Sequence, residues 1–160
     1  MGFIGPETFC SDLVFLIPEA NLYHFGILSS QFHNAWMRRV CGRLKSDYRY
    51  SGGVVYNNFV WPGIDSSSVE TPVEEAVPPP EIRLEVEECA RAVLDAREAY
   101  GGSTMADLYD PDNTWMFPIL VNAHRELNAA VEAAYGVDFQ GDEEKIVAHL
   151  FKLYAELTNE

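Results

Sequence analysis

From Leu22 onward the apolar positions Leu22, Phe25, Phe32, Trp36 and Val40 recur at three-, four- and seven-residue steps, with Ser29 on the same face. Asn21 is a suitable N-cap, so a helix is predicted from about Leu22 to Leu44. Arg38, Arg39 and Arg43 fall in its last turns, where cations suit the helix dipole. Ahead of it, LVFLIP (13–18) is a short apolar run ended by proline, the pattern of a buried strand. Behind it, KSDYRYSGG is polar and ends in glycines, which predicts a loop. VVYNNFVWP then reads as a β-segment stopped by Pro62.

Beyond residue 80 the pattern turns helical and stays so. Pro80 suits a helix start, and Ile82, Val86, Cys89, Val93 and Tyr100 share one face before Gly101 and Gly102 interrupt. Thr104 with Asp107 has the spacing of a capping box opening a short helix. A further helix is predicted from near Pro118 through Tyr135, closed by Gly136. Asp142 can cap the last one, whose Ile146, Val147, Leu150, Phe151, Tyr154 and Leu157 form a broad apolar stripe. Between the halves, residues 63–80 (GIDSSSVETPVEEAVPPP) combine serine, acid and four prolines, the composition of a linker. The fold class expected is therefore mainly α. A small α+β part occupies residues 1–62, residues 63–80 link, and residues 81–160 form an antiparallel helical bundle.

Charge changes this picture. The chain of 160 residues carries 25 acidic and 11 basic residues, yet residues 1–62 hold five basic against four acidic, and residues 63–160 hold six against twenty-one. Five cations, Arg38, Arg39, Arg43, Lys45 and Arg49, lie within twelve residues. An acidic protein repels nucleic acid unless a local patch overrides its mean charge. Duplex DNA is held by Lys and Arg facing phosphates, with Ser, Asn and Tyr fixing register. Arg38, Arg43, Lys45 and Arg49, with Ser46, Tyr48, Tyr50, Ser51, Asn57 and Asn58, supply that set. The structural alternative is a solvated helix end in which Arg49 pairs with Asp47 and the tyrosines are core.

Other chemistries find no support. His24, His33, His124 and His149 lack zinc-site spacing, and neither GxxxxGK[ST] nor GxGxxG occurs. Pro111-Asp112 and Glu143-Glu144-Lys145 imitate a nuclease pattern, but the second element falls in a predicted first helical turn rather than on a strand. No catalytic, cofactor or metal residue is assigned. Cys10, Cys41 and Cys89 are widely spaced without a CxxC pair, which suits reduced thiols. No eighteen-residue apolar run and no basic n-region ahead of an apolar core occur, so a cytoplasmic protein without membrane partners is expected.

The stretch FGIL-S (25–29), His33, Trp36-Met37-Arg38, GRLKSDYRYS (42–51) and VYNNF-WP (55–62) resembles the end of the target-recognition domain of MmeI-like enzymes. These are large single-chain restriction–modification proteins with a nuclease and an adenine-specific DNA methyltransferase. AxxVLDAREAY (90–100), ADLYDP (106–111), AHRELNAAVEAAYG (123–136) and the final EEKIVAHLFKLYAELT resemble that family's C-terminal helical domain. Val60 stands where the family usually has proline, and DNTWMFPILVNAH replaces its MPPxLxxAH loop. The resemblance implies double-stranded DNA as partner, with the GRLKSDYRYS cations facing phosphates. It also implies a parent enzyme that uses S-adenosylmethionine. The FxGxG-like loop that binds that cofactor and the [ND]PP[YFW] motif that holds the flipped adenine are both missing. Tyr56-Asn57-Asn58-Phe59 lacks both prolines, so neither cofactor binding nor methylation is expected of these residues alone. Two other classes stay open: a module docking on the methyltransferase or nuclease part of the same system, and an acidic DNA mimic.

Overall fold

The computed structural model describes residues 1–11, 14–45, 47–63 and 78–158. Its architecture is mainly α, with, among the described residues, one two-stranded antiparallel sheet in the N-terminal part.

Asn21 opens helix α1 (Leu22–Ser29) as expected, accepting from the His24 N–H, while the His24 ring closes a reciprocal capping box. The helix predicted to run on to Leu44 breaks at Ser30, whose backbone is extended with ψ 167°. The Ser30 hydroxyl donates to the Ile27 carbonyl at 2.6 Å, and its N–H uses the same acceptor. A serine bonding its own helix end competes with helical propagation, and this one is fully buried. Helix α2 (Gln31–Val40) then starts with Ser30 as its N-cap. Helix α1 is apolar on nearly every side, with Tyr23, Phe25, Gly26, Ile27 and Leu28 all buried. A Cβ on Gly26 would stand 2.8 Å from Val86 and 3.3 Å from Leu127, so the glycine lets α1 lie close on the helices beneath.

Three further expectations for this half are corrected. Val14, Phe15 and Leu16 of the LVFLIP run are about half exposed and form no strand, while Leu13 lies outside the described residues. Among the described residues no neighbouring strand is available to pair with them. The polar loop is instead a hairpin of β1 (Gly42–Leu44) and β2 (Asp47–Arg49), with Lys45 at φ 59° in the turn. The VVYNNFVWP segment opens with a π-helical turn, Gly52–Tyr56, closed by the Asn57 N–H on the Gly52 carbonyl. Val55, Phe59, Val60 and Trp61 are all buried, so the side-chain alternation of a strand is absent. The Val55 carbonyl serves the Trp36 indole at 3.0 Å instead of a ladder.

Of the predicted linker, residues 64–77 lie outside the described residues. Pro80 occupies the first turn of α3 (Pro80–Ala99), which buries Val86, Ala90, Val93 and Ala96. Thr104 and Asp107 form the expected capping box of α4 (Met105–Leu108), followed by a 3-10 turn, Pro111–Met116. Helix α5 (Pro118–Ala134) ends at Tyr135, with Gly136 at φ 70° just beyond. Helix α6 (Glu143–Thr158) is capped by Asp142, whose carboxylate accepts from the Glu144 and Lys145 N–H groups. Helices α3 and α5 are the principal pair, α1 packs across α3, and α6 packs chiefly on α2. The bundle expected within residues 81–160 is thus completed by α1 and α2, and both halves feed one hydrophobic core.

Candidate nucleic-acid interface

Every described residue of the two strands is exposed, so the ribbon stands off the body. Its register pairs Gly42 with Arg49, Arg43 with Tyr48 and Leu44 with Asp47. Directly paired residues share a face. Arg43 and Tyr48 therefore lie on one face, and Leu44, Asp47 and Arg49 on the other. Lys45 takes the turn between them. The Arg43 guanidinium lies 4.4 Å over the Tyr48 ring and donates to its hydroxyl at 3.2 Å. That stack stiffens a long side chain without burying its charge. Within residues 42–49 the charges are Arg43, Lys45 and Arg49 against Asp47 alone.

Not all the sequence-predicted residues join this ribbon. Ser46 lies outside the described residues. Ser51 and Asn57 are exposed at its base. Arg38 turns towards α6, where its Nε and Nη2 donate to both oxygens of Glu143 at 3.0 and 2.7 Å. Those hydrogen bonds hold the Glu143 carboxyl below the usual range against some opposing desolvation. The Tyr50 hydroxyl meets His33 Nε2 at 3.0 Å, and burial of the phenol, with Tyr56 nearby, pushes it up to about 12. His33 itself is buried against the edge of Phe59, and desolvation lowers it to about 4. The Asn58 amide donates to the Gly53 and Val54 carbonyls and accepts from Tyr154. Arg38, Tyr50 and Asn58 are therefore built into the framework on which the ribbon stands.

Sequence reasoning missed a second set of polar residues. Glu132 on α5 is buried, and its carboxylate accepts three backbone N–H groups, from Phe139 and Gln140 at 2.7 and 3.0 Å and from Gly141 at 2.8 Å. Asn128, one turn earlier, accepts from the Gln31 N–H at 2.8 Å and so caps α2 from another helix. Gln31 Nε2 returns a bond to the Gly141 carbonyl at 2.6 Å. An acid on the apolar stripe of α5, followed by a glycine-containing bend, was the available signal. Among the described residues no cluster of His, Cys, Asp and Glu could hold a metal ion, and no helix is long and apolar enough to cross a membrane.

Comparison with known proteins gives this arrangement its class. Residues 1–63 match the MmeI target recognition domain and residues 78–160 the MmeI C-terminal domain, so the molecule is a target-recognition part joined to a C-terminal helical domain. The chain belongs to the MmeI family. It is 40% identical over 160 residues to DNA methyltransferase A of Bacillus subtilis (strain 168), a match that takes in 99% of this chain and 16% of that protein. It is also similar to a solved structure of the Type IIL restriction–modification enzyme MmeI in complex with DNA. There the TM-score is 0.76 and the identity 40%, over 90% of this chain and 17% of the other. The chain thus spans about a sixth of the length of both relatives.

Proposed function

We propose that the chain is the DNA-contacting end of the recognition domain, with its helical support, of an adenine-specific DNA methyltransferase from a restriction–modification system. The observation that carries this is the ribbon: three cations and a stacked tyrosine on an exposed two-stranded hairpin, in a protein of net charge −14. A two-stranded β-ribbon is one of the shapes the major groove of B-DNA admits. Arg43, Lys45 and Arg49 face phosphates or base edges there, and Tyr48, Ser51 and Asn57 fix the register. Arg38, Tyr50 and Asn58 serve the framework. The solved MmeI relative was captured with DNA. Neither the cofactor loop nor the base-holding motif of such enzymes occurs in these residues, so no step of methyl transfer is assigned to them.

Fluorescence anisotropy with an end-labelled duplex at low salt tests the reading. The chain should bind, weakly and with little sequence preference. Arg43→Ala, Lys45→Ala and Arg49→Ala together should weaken binding about equally for all sequences. Equal binding by parent and triple variant would overturn the assignment and leave the ribbon as a docking surface.

A further inference from the structure

Helix α2 runs directly into β1 through Cys41, so the orientation of α2 fixes one stem of the ribbon. Both ends of α2 are gripped by the helical domain. At its start, Asn128 caps the Gln31 N–H and the Gly141 carbonyl takes the Gln31 amide. Towards its end, Glu143 chelates Arg38 through two parallel bonds. The bend carrying Gly141 is itself fixed by Glu132 through three backbone N–H groups. Gly141 has φ 75°, the left-handed region that favours glycine, and a Cβ there would stand 3.1 Å from the Gln31 side-chain oxygen. The grip joins residues about a hundred positions apart, and it is built from directional bonds rather than apolar area alone.

We propose that Asn128 and Glu143 are positioning residues: through α2 they set the orientation of the Arg43–Lys45–Arg49 ribbon, giving the acidic helical domain a part in DNA binding without touching DNA. This rests on the ribbon reading above. It makes a prediction opposite to simple electrostatics. Removing the negative charge of Glu143 should tighten binding to a polyanion if charge alone matters. If Glu143 holds the ribbon in place, removing it should weaken binding.

The test uses the whole chain with Glu143→Gln, Asn128→Ala and the exchange Arg38→Glu with Glu143→Arg. Glu143→Gln and Asn128→Ala should each lower duplex affinity by roughly three- to tenfold, as residues in one bonded network do. The slope of log K against log salt should stay at the parent value, because no phosphate contact is lost. The exchange should restore most of the affinity. Unchanged or tighter binding by Glu143→Gln, or a flattened slope, would overturn the proposal. A readout independent of DNA separates it from the ribbon reading. Hydrogen exchange at residues 42–49 should accelerate in Glu143→Gln while α3 and α5 keep their protection. Failure of the parent to bind any duplex would sink the ribbon reading alone. Unaltered exchange in the hairpin would sink the positioning role whatever the DNA result.

Discussion

His33 shows how a residue in this family's recognition part can be structural yet chemically informative. Its imidazole is buried, keeps Nδ1 without a hydrogen-bond partner among the described residues, and is lowered to about 4 by desolvation. A histidine lowered on folding binds protons better in the unfolded chain. Its contribution is therefore complete above about pH 6.5 and is lost as pH falls towards 4. His124, lowered to about 4 by burial and then by Arg97, acts in the same direction. Between pH 7 and pH 5, His33 alone should account for about 2 kcal/mol of lost stability. Urea unfolding across that window checks this: His33→Gln should show a shallower fall than the parent. Parallel curves would mean that His33 is protonated in the folded state. Glu132 belongs to the same scale. Glu132→Ala removes the acceptor of three half-buried backbone donors, so a loss of about 1–3 kcal/mol is expected in the melt.

At the scale of elements, the two halves of the chain differ in how far local pattern decides structure. Helices α3, α4, α5 and α6 were legible because their caps and periodicity are local: Pro80, the Thr104–Asp107 box, Gly136 and Asp142 act where they were expected to. Residues 41–62 were not legible, because side chains rather than a strand ladder take their backbone carbonyls. The Trp36 indole takes the Val55 carbonyl, and the Asn58 amide takes the Gly53 and Val54 carbonyls, so a stretch rich in β-formers folds as a π turn. Ser30 breaks the first helix where the apolar spacing continues undisturbed, since that spacing carries no record of a cap supplied by Asn128. For the candidate site, cation clustering pointed to residues 42–49, which the structure folds into the exposed ribbon. It could not reveal that Arg38 had a carboxylate partner 105 residues away. The packing of α6 on α2, with Phe151 and Tyr154 against Trp36, leads to a further expectation. Residues 78–160 expressed alone should be helical by circular dichroism yet melt at lower temperature and less cooperatively than the whole chain. An equally sharp melt at the same temperature would show that α6 closes the bundle without α2.

At the scale of the whole molecule, the charge distribution sets a contest. The cations of the ribbon attract phosphate at close range, while residues 63–160, with six basic against twenty-one acidic residues, repel it at a distance. Salt screens the distant repulsion beyond about 10 Å at 0.1 M but leaves contact pairs less affected. The decisive measurement is the dependence of duplex affinity on salt for the parent and for the Arg43→Ala, Lys45→Ala, Arg49→Ala variant. A fall in log K with log salt, flattened in the variant by roughly 0.9 for each phosphate contact removed and equal on unrelated sequences, is the predicted result. A parent slope near zero, or a variant slope matching the parent's, would contradict the ribbon as the DNA-contacting element.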